Sequence, residues 1–162
     1  MHINMVAGDV VELLNCSVYT TSTSTTGYGI RNNDTAQAPT ITNTVVETAS
    51  ATSNLAFSSA GGGWGTSNYN AAGGPAASND APGANSLSDL TAAQIAYVDK
   101  ANGDLHIAEG SSCVDAGTQL AEFSEDFEGR PRLLGLWDIG AHELKPVWRN
   151  RHVSRLNTLL RM

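Results

Sequence analysis

Charge is scarce in this 162-residue chain: Asp, Glu, Lys and Arg make up 15% of it and aromatics only 6%. So few charges exclude a solvated, disordered polyelectrolyte, and the shortage of Leu, Glu and Lys excludes a helical bundle. No apolar run approaches the roughly 20 residues that a membrane-crossing helix needs. The amino terminus, MHINMVAGDVVELLN, lacks a basic region followed by an apolar stretch and a small-residue cleavage site, so a soluble chain without a secretion signal is expected. There are two cysteines, Cys16 and Cys113, far apart and flanked by apolar or small residues. They predict two buried thiols rather than a bridge, and no metal centre.

Gly, Ser, Thr, Asn and Ala dominate the first half, a composition that favours short strands joined by tight turns. The length suits one domain plus a tail. All sixteen acids lie at or before Glu143, where the only basic residues are Arg31, Lys100, Arg130 and Arg132. Lys145, Arg149, Arg151, Arg155 and Arg161 follow, so an acidic body precedes a basic tail. An acidic body argues against nucleic acid as the main partner, because phosphate binding needs a positive surface.

From Val10 to Phe57 the chain reads as two imperfect turns of one pattern. The segment from Leu13 to Tyr19 (LLNCSVY) aligns with Ile41 to Glu47 (ITNTVVE) at an offset of 28, and Gly29-Ile30 aligns with Ala56-Phe57 at 27. Period-two apolar alternation, β-branched enrichment and a repeat in the solenoid range predict stacked strands. Asn15 and Asn43 then fall at equivalent places, where amide side chains can hydrogen-bond up the stack. The run from Thr20 to Thr26 (TTSTSTT) reads as an exposed strand of threonines; its hydroxyls could alternatively meet a surface glycan, with Tyr19 and Tyr28 as the nearby aromatics.

Residues 58–86 hold most of the chain's flexible punctuation. Gly61, Gly62, Gly63 and Gly65 around Trp64 read as an irregular loop pinned by one aromatic, not as a phosphate cradle, because no Lys-Ser/Thr pair and no helix follow. Asp89 to Val98 carries either a short capped helix or a turn into a further strand. The organisation expected is thus coils over 1–60, a Gly-rich connecting segment over 61–103, closing coils and a cap over 104–144, and a basic amphipathic tail over 145–162.

Three ordered motifs occupy the second half: Gly110-Ser111-Ser112-Cys113-Val114-Asp115-Ala116-Gly117, Glu128-Gly129-Arg130-Pro131-Arg132 and Asp138-Ile139-Gly140-Ala141-His142-Glu143. They resemble the closing coils of right-handed parallel β-helix proteins of the pectin-lyase-like superfamily, with Ser112 in place of the usual Pro and Cys113 at a variable position. Ser67-Asn68-Tyr69-Asn70 resembles a segment upstream of such endings. The resemblance implies an all-β fold: a right-handed parallel β-helix of few coils with an irregular C-terminal cap. In that cap Asp115, Arg130, Pro131, Arg132, Asp138 and Glu143 have structural roles, the aspartates accepting backbone hydrogen bonds and the arginines pairing with acids such as Asp126 or Glu128.

Lyases on that fold need clustered acids, often with calcium, and a basic residue; hydrolases need two or three close aspartates. The coil region offers only Asp9, Glu12, Asp34 and Glu47, with Arg31 as its one base, and no enzymatic activity is expected. His106 and His142 lack the paired spacing of metal ligands, so neither cofactor nor metal is expected.

After Glu143 the resemblance stops. Trp148, His152, Leu156 and Leu160 recur every four residues beyond Pro146, which predicts a short helix. Trp148, Arg149, Arg151, Val153, Arg155, Leu156 and Leu160 are its candidate partner-docking residues, packing on the cap or on another protein. The role expected is a structural or attachment module of a virus particle, such as a bacteriophage capsid decoration, tail fibre or tailspike component. It would be homo-oligomeric, a trimer for preference, located in the virion. The rival expectation is the C-terminal part of a longer extracellular or cell-surface β-helix protein, either a carbohydrate-active enzyme or an adhesin.

Overall fold

The computed structural model describes residues 1–3, 5, 8–21, 27–49, 55–75, 80–133, 135 and 137–144. The regular structure of the described residues is mostly strand: β1 (His2–Ile3), β2 (Glu12–Leu14), β3 (Ser17–Thr20), β4 (Tyr28–Asn32), β5 (Thr40–Thr42), β6 (Val45–Thr48), β7 (Leu55–Ser59), β8 (Ala71–Gly73), β9 (Leu87–Leu90), β10 (Tyr97–Asp99) and β11 (Asp104–Ile107). Helix is confined to one turn, α1 (Ala92–Ile95), and a 3-10 turn at Lys100–Asn102.

The first nine strands form three parallel sheets that the chain visits in turn, ordered β1-β4-β7, β2-β5 and β3-β6-β8-β9. Through β7 each strand lies beside the one three places later, so every return to a sheet places equivalent residues side by side. Ile3 lies opposite Asn32, Leu13 opposite Ile41 and Val18 opposite Val46. Further along, Ile30 faces Phe57 and Val46 faces Ala72, so the repeat shortens only slightly as the stack grows. The two offsets read from the sequence are thus the strand registers themselves. A parallel bridge from Thr42 to Asn68 extends the second sheet by one position. The last step is a shortcut, pairing Ala71 with Leu87.

Alternation sets the faces. Val46, Ala72, Ile30, Ala56, Ile41 and Ile3 meet in one cluster to which all three sheets contribute. Ile30, Ile41 and Val46 are wholly buried, each stabilising the fold by about 1.5–3 kcal/mol relative to exposure. Packing is tight enough to dictate glycine at position 29, where a Cβ would fall 2.2 Å from Val46 Cγ1 and 2.7 Å from the Ala56 carbonyl oxygen. Trp64 closes one side of this cluster, edge-on to Phe57 with ring centroids 5.9 Å apart, and so pins the Gly-rich loop.

Val45, next to Val46 in β6, points the other way. With Ala71 and Leu90 of the same sheet it packs against Ile95, Ile107, Cys113 and Ile139. The third sheet is therefore buried on both faces, as its wholly buried strand β6 shows.

The covering layer starts at α1. Thr91 caps it in a reciprocal box with Gln94, and Ala96 in the left-handed region (φ 54°) ends it after one turn. Gly103, at φ 85°, then reverses the chain, so β11 pairs antiparallel with β10 rather than joining a parallel sheet. Among the described residues, 104–144 add this one strand; the remainder is turns and two isolated-bridge residues. Where further coils were expected, the structure has a layer lying along the outer face of the third sheet. It reaches β3, where the Ala141 N–H donates to Ser17 Oγ at 3.0 Å. The tail expected to be helical lies outside the described residues.

Candidate functional site

Two side-chain groupings stand out. The first joins the stack to its covering layer at the corner between the second and third sheets. Asn15 and Asn43 occupy equivalent corner positions in the left-handed region (φ 51° and 52°), which Asn tolerates better than most residues, and Tyr69 repeats the conformation one step on. Asn43 Nδ2 donates to Asn15 Oδ1 at 3.0 Å and to the Thr118 carbonyl at 2.6 Å, while its Oδ1 accepts the Thr118 N–H at 2.8 Å. The expected amide ladder exists, and it also fastens the layer. Asn70, buried at the next corner, accepts the Thr44 N–H and donates to the carbonyls of Ile41 and Pro82. A second fastening is the ion pair between Lys100 and buried Glu47, with Lys100 Nζ also 5.2 Å from the Tyr19 ring centroid.

The second grouping gathers all six residues expected in the cap. Arg132 is buried, pairs with Glu143, donates to the Gly140 carbonyl at 2.9 Å and lies over Trp137. Asp138 accepts the N–H groups of Asp115 (2.8 Å) and Leu144 (2.5 Å). Asp126 accepts those of Glu128, Arg130 and Glu143, and Pro131 bridges to Glu125 on the far side of the turn. Arg130 donates to the Glu143 carbonyl at 3.1 Å and pairs with Glu128. Burial pushes the Asp138 carboxyl up and Glu143 up to about 7, against the pull of their backbone hydrogen bonds and, more weakly, of Arg132. Charged groups that accept and donate this many backbone hydrogen bonds fix irregular backbone in one conformation, although Arg132 Nε is left without a partner.

On the edge of this network two histidines meet that their spacing along the chain gives no reason to pair. His106 comes from β11 and His142 from the last motif; their ring centroids are 4.0 Å apart at 34°. His106 Nδ1 is 2.5 Å from Asp104 Oδ1, and its Nε2 is 3.1 Å from Glu128 Oε1 without the alignment of a hydrogen bond. His142 Nδ1 is likewise buried without a protein partner. Two such buried nitrogens cost roughly 1–3 kcal/mol each if nothing meets them. Burial, then the neighbouring His106, lowers the His142 pKa. The signal missed in the sequence is spatial, since only the hairpin and the final turn bring these positions together.

Both cysteines are free: Cys113 is fully buried, with its thiol pushed up to about 12 by desolvation, and Cys16 is half-buried. The docking residues Trp148, Arg149, Arg151, Val153, Arg155, Leu156 and Leu160 lie outside the described residues. No helix among the described residues is long and apolar enough to cross a membrane. No family model, curated protein or solved structure matches the chain.

Proposed function

We propose that the chain is part of a right-handed parallel β-helix and serves as a non-enzymatic structural or attachment module of a virus particle, such as a bacteriophage capsid decoration or tail fibre component. The observation that carries this reading is the return of the chain to each of three parallel sheets at a nearly constant spacing. Stacking of this kind bonds backbone to backbone along one axis and makes a stiff projection, in which each step contacts only its neighbours. Stiffness is what an attachment module needs.

Assembly is supported by the sheet edges. Among the described residues β1, β2 and β3 each pair on one side only, with β4, β5 and β6. Strand edges of this kind recruit further strands, from the same chain or another. A second copy, in a trimer for preference, or another particle protein would provide them. The basic tail, with Trp148, Leu156 and Leu160 recurring at helical spacing, would dock the module, and the threonine-rich segment after β3 could meet a surface glycan.

Mass measurement on the natural source tests this. A particle-associated chain of 16.9 kDa is the expected result. A far longer secreted chain would replace the virion reading with that of a carbohydrate-active enzyme or adhesin. Removing residues 147–162 should leave the stack folded and abolish assembly; a truncated chain that still assembles would refute the docking tail.

A further inference from the structure

We propose that His106, His142 and Glu128 form a binding site for a divalent transition metal, zinc in the first place, with Asp104 positioning His106. One ligand atom from each of the three residues lies within 4.8 Å of the other two. Zinc–nitrogen bonds of roughly 2.0–2.1 Å set a tetrahedral edge of about 3.3 Å. The 3.1 Å between His106 Nε2 and Glu128 Oε1 is already close to that edge. His142 needs only a small approach, which an imidazole on a turn can make by rotating. Three protein ligands leave the fourth position to water or to a group on a bound partner.

Three independent observations favour a cation over a mere histidine stack. His106 Nε2 and His142 Nδ1 are both buried and both lack a protein hydrogen-bond partner, although each belongs to a ring next to a possible ligand. The carboxylate of Asp104 at His106 Nδ1 holds the proton on that nitrogen and leaves the Nε2 lone pair free for a metal, the arrangement that orients imidazole ligands in metal sites. Charge points the same way: Asp104, Asp126 and Glu128 surround the rings, with Arg130 as the opposing cation. Three carboxylates against one guanidinium leave a deficit that a divalent ion would balance. Neither cysteine competes, because Cys113 belongs to the core cluster and Cys16 lies at the corner after β2.

The site also has a structural consequence. His106 stands on β11 and His142 within the final turn, so one ion would tie the antiparallel hairpin to the end of the covering layer. Exposed Phe127 stands edge-on to His142, with ring centroids 5.7 Å apart, so one of the three-residue cluster's neighbours is an apolar ring open to solvent.

The test uses the full chain, stripped with a chelator and titrated with zinc chloride by calorimetry, then with cobalt chloride by visible absorption. One zinc per chain, with the strong visible bands of four-coordinate cobalt and a raised melting temperature, is expected. His106→Ala and His142→Ala should each weaken zinc binding on the order of 100-fold, and Asp104→Asn by roughly 10–100-fold, as positioning residues do. Asn keeps an oxygen that can accept the His106 backbone N–H, so the loss of zinc affinity in Asp104→Asn should far exceed any loss of stability in the metal-free chain, which separates its role from simple structural support. His2→Ala and His152→Ala, at the two remaining histidines, should bind as the unaltered chain does. Should an alanine variant fail to fold, His142→Gln keeps the ring's approximate volume and must still lose the cobalt bands. No binding at millimolar zinc, or unaltered affinity in His106→Ala and His142→Ala, would overturn the site.

Discussion

Replacing Asn43 by alanine should cost far more stability than the same change at Asn15, although the two residues occupy equivalent corners with nearly the same φ. Asn43 makes three side-chain hydrogen bonds, two of them to the backbone of Thr118, whereas Asn15 only accepts one, from Asn43 itself. Its Nδ2 makes none. Each lost bond removes about 0.5–1.5 kcal/mol net, and the stranded Thr118 N–H and carbonyl add to that. Alanine in the left-handed region contributes about 1 kcal/mol more as backbone strain. Together N43A should lose about 3–5 kcal/mol, equivalent to a fall in Tm of roughly 10 °C for a domain of this size. N15A should lose about 1.5–2.5 kcal/mol, from one bond and the same strain. Asn43→Gly separates the two contributions, because glycine removes the strain and restores about 1 kcal/mol while leaving the bonds broken. The assay is urea unfolding followed by circular dichroism, with amide hydrogen exchange at Thr118 as the local readout. If N15A proved as costly as N43A, or N43A cost under about 1 kcal/mol, the corner would not be the fastening it is argued to be.

Lys100→Met should destabilise the chain by about 2 kcal/mol, because it strands the buried Glu47 carboxylate, whose Oε2 already lacks a partner. The figure falls below that for a fully buried pair because Lys100 keeps 28% of its side chain in water. Glu47→Gln should cost less, and urea midpoints that reverse this order would show that the pair is not the fastening. Cys113, with its thiol raised to about 12, should stay unlabelled by iodoacetamide in the folded protein at about pH 8 and react at once in denaturant. Peptide mapping that finds native Cys113 labelled as fast as denatured Cys113 would contradict its place in the second core cluster.

What could be read from the residues alone was the stack. Strands buried on one side alternate with period two, and a solenoid repeats its alternation at a fixed spacing, so Leu13 to Tyr19 could be laid on Ile41 to Glu47 without coordinates. Asn15 and Asn43 were visible for the same reason, and Asp138, Arg132 and Glu143 stood out because each lies near a glycine or proline of a turn. The covering layer was not legible. β11 reads as one more alternating strand, and only Gly103 in the left-handed region turns it back against β10. The burial of Val45 on the outer face likewise depends on which segment comes to lie over it. His106 and His142 stayed separate for the same cause: tertiary path, not sequence spacing, decides which rings meet. Asn43's second attachment, to Thr118, is equally a contact between distant parts of the chain.

The parallel stack can be tested bond by bond through scalar couplings across hydrogen bonds, measured by NMR on deuterated protein. Couplings are expected from the Val45 amide to the Cys16 carbonyl, from Ala71 to Thr44 and from Ala49 to Thr20. Couplings linking β3 to β4, or β6 to β7, in an antiparallel register would contradict the parallel stack.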